Sequence, residues 1–96
     1  MSFIQGKTAV ITGASSGLGK MLALDLAREQ MNLTLAARDA DALTQIATQV
    51  KKLGSEVLVQ PTDVTEQAQC QVMIERTIEK FGQIDYLILN AGISMW

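Results

Sequence analysis

Four short apolar runs alternate with three segments of helical periodicity, and this alternation constrains the fold more than any other feature of the sequence. The runs cover residues 9–11, 33–37, 57–59 and 86–89. None of them alternates apolar with polar residues, so each predicts a strand that is buried on both faces. Such strands are typical of parallel sheets covered by helices, and the sequence therefore predicts an open α/β sheet.

The three helical segments supply the crossovers between these strands. In the first segment, residues at three- and four-residue spacing predict a buried helix face made of Leu18, Met21, Leu22 and Leu26. Asp39 and Thr65 stand where the second and third helices would be capped, and Gly54 and Gly82 stand where they would end. Right-handed crossovers then predict a Rossmann-type parallel sheet of order 3-2-1-4, with two helices on one face and the third on the other.

The composition narrows the possible functions. The 96 residues leave room for one domain, and a net charge of −2 provides no basic surplus for nucleic acid. The absence of histidine excludes histidine-based acid–base catalysis and histidine metal sites. No apolar run approaches the roughly 20 residues that span a bilayer, so we expect no membrane partner. The single cysteine, Cys70, fits a reducing compartment, and we expect a cytoplasmic protein.

The segment Thr-Gly-Ala-Ser-Ser-Gly-Leu-Gly directly follows the first apolar run and opens the first helix. Gly13 allows a tight turn, Gly17 lets a pyrophosphate approach the backbone, and Gly19 lets the helix pack closely on the sheet. The helix N-terminus adds free amides and a partial positive charge, and Ser15 and Ser16 add hydroxyl donors. A strand before the loop and a helix after it are the context that a nucleotide site requires.

This glycine loop and two further segments resemble the short-chain dehydrogenase/reductase family. The loop has the family's Thr-Gly-x-x-x-Gly-x-Gly spacing, and Asp63-Val64 follows the third strand, where family members hold the adenine. Asn90-Ala91-Gly92 ends the fourth strand and matches the family's Asn-Asn-Ala-Gly, except that a leucine replaces the first asparagine. The resemblance covers essentially the whole chain and implies a nicotinamide dinucleotide cofactor.

Several of these residues have two open roles. Asp63 can accept a hydrogen bond from an adenine amino group, or it can complement the dipole of the helix that follows. Asn90 can contact the cofactor, or it can bridge adjacent strand ends by side-chain hydrogen bonds. Gly92 can let the backbone approach the cofactor ribose, or it can serve a plain turn.

Arg38 indicates the type of cofactor. A protein that binds NAD is expected to carry an acidic residue at the end of the second strand, but Ala36 and Ala37 stand there and Arg38 follows. An arginine there suits a 2′-phosphate and favours NADP over NAD, although Asp39 or Asp41 could instead pair with it. The predicted cofactor-binding residues are Gly13, Ser15, Ser16, Gly17, Leu18, Gly19, Arg38, Asp63, Val64, Asn90, Ala91 and Gly92.

The resemblance also implies a serine–tyrosine–lysine mechanism, whose residues lie downstream of the Asn-Ala-Gly segment in family members. The only tyrosine, Tyr86, lies in a predicted strand and is followed four residues later by Asn90 rather than lysine. Neither residue therefore matches a catalytic position, and we expect no catalytic residue in this chain. We expect residues 1–96 to be the N-terminal, cofactor-binding half of a larger doubly wound domain, without its substrate half.

Three functions are open on this basis. The chain can be the NADP-binding half of an oxidoreductase that acts on alcohols or carbonyls, a truncated module that binds a nucleotide or another subunit, or an inactive fragment. The fourth strand would form an uncovered apolar edge, consisting of Tyr86, Leu87, Ile88 and Leu89. An uncovered edge of this kind predicts homo-oligomerisation or association with further polypeptide.

Overall fold

A computed structural model describes residues 3–90 and confirms the predicted order of strands and helices. The elements are β1 (Thr8–Thr12), α1 (Gly17–Arg28), β2 (Asn32–Ala37), α2 (Ala40–Lys52), β3 (Val57–Pro61), α3 (Gln67–Phe81) and β4 (Tyr86–Ile88). All strand pairs are parallel, and the sheet order is β3-β2-β1-β4, as predicted. Within residues 3–90, none of the helices has the length and apolar character needed to cross a membrane.

The two faces of the sheet are covered unequally. The larger core lies on the face of α1 and α2, where Leu33 and Leu35 of β2 pack with Leu43 and Val50 of α2. The smaller core joins Val10 and Ala36 to Met73 of α3 on the opposite face. The first two helices therefore share one face and the third covers the other, as the crossover rule predicted.

Burial falls from the centre of the sheet outward. Every residue of β1 is buried, and β2 is buried except for a half-buried first residue. In β3 only Val57 is buried. In β4, Ile88 is half-buried and the other two residues are exposed. The prediction of strands buried on both faces is thus right for the two central strands. It is wrong for β3 and β4, which have a hydrogen-bonded neighbour on one side among the described residues.

The predicted buried face of α1 is right only in part, since Leu26 packs against the larger core and Leu22 is half-buried. Leu18 and Met21 are 65% and 55% exposed, and the buried residues of α1 are Gly19, Ala23 and Ala27. These three residues repeat every four positions and form one stripe along the helix. Because the helix approaches the strand-end loop closely at Gly19, only residues with little or no side chain fit there.

The helix ends agree with the predictions except at Thr65. Asp39 caps α2, since its Oδ1 accepts a hydrogen bond from the backbone N–H of Ala42 at 3.0 Å. Gly82 ends α3 with a φ of 84°, which an L side chain rarely adopts. Thr65 does not cap α3, whose N-cap position is Glu66, because its hydroxyl donates to Asp63 instead.

Candidate functional site

An open cleft of about 1070 Å³ lies along the carboxyl ends of the four strands. Its lining comes from the glycine loop, from the residues after each strand and from one side of α3. The lining residues are Thr12, Gly13, Ser15, Ser16, Gly17, Leu18, Ala37, Arg38, Thr62, Val64, Cys70, Met73, Ile74, Leu87, Leu89 and Asn90. In open α/β sheets, ligands bind outside the carboxyl ends of the strands, beside the point where the strand order reverses. Here that point lies between β1 and β4.

The glycine loop is packed so tightly against the end of β4 that two of its glycines leave no room for a side chain. A Cβ on Gly13 would lie 1.8 Å from the backbone oxygen of Asn90. A Cβ on Gly19 would lie 2.1 Å from the backbone oxygen of Gly13 and 2.7 Å from the Asn90 side-chain nitrogen. Gly13 also has a φ of 63°. These contacts bring the start of α1 close to the strand ends, where the cleft begins.

The first turn of α1 faces the cleft with free donors. Ser16 is the N-cap residue, and its side chain makes no capping hydrogen bond. Among the described residues, the backbone N–H groups of Gly17 and Leu18 donate to no protein acceptor. A Cβ on Gly17 would meet nothing within 4 Å, so the space beside this backbone is open. This geometry can hold an anion at the positive end of the helix dipole.

Asn90 connects the end of β4 to the end of β1. Its backbone N–H donates to Oγ1 of Thr12 at 2.9 Å, and its side-chain Nδ2 donates to the carbonyl of Gly13 at 3.4 Å. The Thr12 hydroxyl in turn donates to the carbonyl of Ile88 at 3.5 Å. The strand-bridging role considered for Asn90 is therefore present in the structure. Thr12, to which the sequence reasoning gave no role, holds the two strand ends at the cleft.

Arg38 and Asp63 meet at the rim of the cleft, after β2 and β3 respectively. Nη2 of Arg38 lies 3.7 Å from Oδ1 of Asp63, and the arginine side chain is 74% exposed. Neither Asp39 nor Asp41 forms an ion pair with Arg38, and Asp39 instead caps α2. The guanidinium is thus beside the cleft and beyond hydrogen-bond distance of its acidic neighbour.

The Asp63 carboxylate is held mainly by Thr65. Its Oδ1 accepts hydrogen bonds from Oγ1 of Thr65 at 2.6 Å and from the Thr65 backbone N–H at 3.0 Å. These two bonds, with a smaller contribution from the charge of Arg38, lower the pKa of Asp63 below its ordinary value. Asp63 therefore stays ionised at neutral pH.

One wall of the cleft is apolar and comes from α3 and β4. Its side chains belong to Cys70, Met73, Ile74, Leu87 and Leu89. None of these five residues is among the cofactor-binding residues predicted from the sequence. The signal that could have identified them is the predicted strand order, which leaves α3 alone on its face beside the strand ends.

The structure brings most of the predicted site residues to this one cleft. Eight of them line it, namely Gly13, Ser15, Ser16, Gly17, Leu18, Arg38, Val64 and Asn90. Gly19 lies buried behind the loop, and Asp63 lies at the rim beside Arg38. Ala91 and Gly92 lie outside the described residues, so their predicted contacts stay predictions.

Comparison with protein families identifies a match over nearly the whole chain. The family model described as short chain dehydrogenase matches residues 7–96. Among curated proteins, the 11-beta-hydroxysteroid dehydrogenase-like 4A of Arabidopsis thaliana is 44% identical over 92 residues, which cover 95% of this chain and 31% of that protein. The chain thus spans about a third of the length of this relative.

Solved structures share the fold at similar coverage. The L-sorbose reductase of Gluconobacter frateurii, complexed with NADPH and L-sorbose, has a TM-score of 0.90 and 38% identity over 96% of this chain and 35% of that chain. A short chain dehydrogenase/reductase of Burkholderia phymatum in complex with NAD has a TM-score of 0.85 and 39% identity, covering 91% of this chain and 31% of that chain. The structural neighbours therefore include one complex with NADPH and one with NAD.

Proposed function

Because the chain belongs to the short chain dehydrogenase family, we propose that it is the NADP(H)-binding part of an oxidoreductase. In this proposal the bound nicotinamide exchanges a hydride with an alcohol or carbonyl substrate. The observation that carries the proposal is the meeting of the glycine loop, the free amides of α1 and the Arg38 guanidinium in one cleft. The free thiol of Cys70 supports the cytoplasm as the location.

The start of α1 is proposed to hold the pyrophosphate. The backbone N–H groups of Gly17 and Leu18 are available as donors, and the open space beside Gly17 admits phosphate oxygens. The hydroxyls of Ser15 and Ser16, which also line the cleft, add donors at the same place. These residues fit a pyrophosphate because their backbone N–H groups and hydroxyls can all donate hydrogen bonds to an anion.

The preference for NADP over NAD is assigned to Arg38. Its side chain is 74% exposed and lines the cleft after β2, where a 2′-phosphate would lie if the adenosine extended across the strand ends. A planar guanidinium can bind two phosphate oxygens at once. The structural neighbours bind NADPH or NAD, so the fold accommodates either and the choice is proposed from this residue.

The remaining residues are proposed to contact the adenine and the nicotinamide end of the cofactor. Asp63 and Val64 are proposed to hold the adenine, with Asp63 accepting from its amino group and Val64, which lines the cleft, packing beside the ring. Asn90, Ala91 and Gly92 are proposed to face the other end of the cofactor. Asn90 keeps the two strand ends together while doing so.

The proton chemistry is assigned to polypeptide beyond this sequence. The chain's only tyrosine, Tyr86, lies in β4 and pairs in register with Ala9 of β1, away from the lining of the cleft. Residues 1–96 are therefore proposed to form a partial dinucleotide-binding domain that binds and orients the cofactor. A substrate hydroxyl needs an acid or base within hydrogen-bond reach, which a further part of a longer protein would supply.

Calorimetric titration of the chain with NADPH and with NADH tests the proposal. We expect saturable binding of one molecule per chain, and tighter binding of NADPH than of NADH. Absence of saturable binding of either nucleotide at millimolar concentration would contradict the proposed function. Nicotinamide mononucleotide, which lacks the adenosine half, serves as the control ligand and should bind more weakly than both.

We propose a second function, in which the exposed edge of β4 associates with another polypeptide. Tyr86 and Leu87 are 44% and 48% exposed, Leu89 is 73% exposed, and Ile88 packs against the larger core. Among the described residues, β4 pairs with β1 alone, so its other edge has free backbone groups. We expect a second copy or further polypeptide to cover this edge. Sedimentation velocity at micromolar concentration should show self-association of the isolated chain, and a stable monomer would contradict it.

A further inference from the structure

Only one of the two oxygens of the Asp63 carboxylate, Oδ1, accepts hydrogen bonds from residues 3–90. Both hydrogen bonds from Thr65 end on Oδ1, and the nearest Arg38 nitrogen also lies closest to Oδ1. Among residues 3–90, no hydrogen bond to this carboxylate ends on Oδ2. The backbone N–H of Asp63 donates to Oε1 of Gln69 at 2.8 Å, which fixes the main chain at the same point.

We propose that Thr65 is a positioning residue for recognition of the adenine, because its hydroxyl and backbone N–H hold Oδ1 of Asp63 and leave Oδ2 for the amino group of the base. This inference rests on the proposed function, in which Asp63 accepts from the adenine. Thr65 itself touches no cofactor atom in this account. It acts through the orientation and the ionisation of the carboxylate beside it.

The geometry explains why a hydroxyl is needed at this position. A free aspartate side chain rotates about two bonds, and a ligand that used it would have to restrict that rotation. Two donors on one oxygen restrict it before the ligand arrives. They also hold the carboxylate in its charged form, which is the stronger acceptor for an amino group.

The same contacts leave Arg38 available for another anion. With Oδ1 occupied by Thr65, the arginine nitrogen stays at 3.7 Å, longer than a hydrogen bond. If the hydroxyl of Thr65 were removed, the backbone N–H of Thr65 and the more distant Arg38 would remain as the partners of the carboxylate. Arg38 is the one charged group among the described residues that affects the ionisation of Asp63.

The test compares NADPH with its hypoxanthine analogue, in which a carbonyl replaces the adenine amino group. The affinity ratio of the two ligands is measured for the wild type, Thr65→Val, Thr65→Ser and Asp63→Ala. Valine keeps the shape and the backbone N–H of Thr65 but removes the hydroxyl. Serine keeps the hydroxyl. The pKa of the Asp63 carboxyl is followed by NMR in the first three proteins, without ligand.

We expect the wild type to prefer adenine, Asp63→Ala to lose that preference, and Thr65→Val to reduce it by about three- to tenfold. Thr65→Ser should restore it, and the pKa of Asp63 should rise in Thr65→Val alone. If Asp63→Ala keeps the preference, the adenine contact in the proposed function is wrong and the inference is overturned with it. If Asp63→Ala loses the preference and Thr65→Val keeps it, the inference alone is overturned.

Discussion

Arg38 and Asp63 lie 3.7 Å apart across the ends of two neighbouring strands, although 25 positions separate them in the sequence. The parallel pairing of β2 with β3 causes this proximity, because Ala37 stands opposite Pro61 at the last rung of the ladder. The proposed acceptor for the adenine and the proposed donor for a 2′-phosphate therefore share the rim of one cleft. The negative charge of Asp63 is close enough to repel a phosphate that Arg38 attracts.

Removing the charge of Asp63 should strengthen the preference for NADPH. In Asp63→Asn the one side-chain oxygen can still accept from Thr65, the proposed contact with the adenine is lost equally for NADH and NADPH, and the side chain no longer repels the 2′-phosphate. We expect the ratio of the NADH to the NADPH dissociation constant to rise about two- to fivefold at low salt. Asp41→Asn removes an equal charge from the exposed first turn of α2 and should leave the ratio unchanged. An unaltered ratio in Asp63→Asn would show that the carboxylate does not act on the phosphate.

The lowered pKa of Asp63 makes a prediction about stability and pH. In the folded chain, the hydrogen bonds from Thr65 lower this pKa below its ordinary value of 3.8, and unfolding restores it. The stabilisation is therefore complete above the unfolded pKa and is lost as the pH falls through the folded one. We expect wild type to lose stability relative to Asp63→Asn between about pH 5 and about pH 2 in urea denaturation. A difference that is constant over this range would contradict the lowered pKa.

Comparing alanine variants of Gly17 and Gly82 separates the effect of filling the ligand space from the effect of straining the backbone. Both have a positive φ, of 57° and 84°, and a Cβ on either would meet nothing within 4 Å. Alanine should therefore cost about 1–2 kcal/mol of unfolding free energy at each position. Only Gly17→Ala should abolish NADPH binding, because its methyl group would occupy the space assigned to the pyrophosphate. Retained NADPH binding in Gly17→Ala would show that the pyrophosphate does not lie beside Gly17.

A buried pair of hydroxyls links α3 to β2 and predicts an asymmetric response to mutation. The Thr77 hydroxyl donates to the carbonyl of Met73 at 2.8 Å, so the 2.8 Å contact between Thr34 and Thr77 must have Thr34 as its donor. Thr34→Val removes one bond and should cost about 0.5–1.5 kcal/mol. Thr77→Val leaves the Thr34 donor buried without an acceptor and should cost about 1–3 kcal/mol.

The double variant Thr34→Val/Thr77→Val provides the control for this pair. It removes both hydroxyls and leaves no buried donor unpaired, so it should be more stable than Thr77→Val alone. The free energies of unfolding from urea denaturation give the comparison. Equal losses in the two single variants would contradict the assigned direction of the hydrogen bond.

The strand order and the glycine loop could be predicted because they depend on signals that are local along the chain. Apolar runs identify the strands, and connectivity then determines their order. The buried face of α1 could not be predicted fully in this way, because Ala23 and Ala27 have a weaker hydrophobic signal than Leu18 and Met21, which are exposed. The close approach that selects small residues at Gly19 is a property of the packed structure.

The partner of Arg38 was missed for a related reason. Asp39 and Asp41 are near in sequence, but Asp39 is engaged at the start of α2, and the sheet brings Asp63 nearer to the guanidinium. The role of Thr65 was missed because a threonine before a helix predicts a cap, whereas this one donates to the side chain two residues earlier. Both errors concern which of several chemically suitable partners a side chain finds, which only the tertiary structure decides.

Binding of NADPH and NADH to the wild type and to Arg38→Ala tests the central claim most directly. We predict that Arg38→Ala weakens NADPH binding at least about tenfold and changes NADH binding less than about twofold, since only NADPH has the 2′-phosphate. Arg76→Ala, which removes an equal charge from an exposed position on α3 outside the cleft lining, should leave both affinities unchanged. Equal losses for NADPH and NADH in Arg38→Ala would contradict the account.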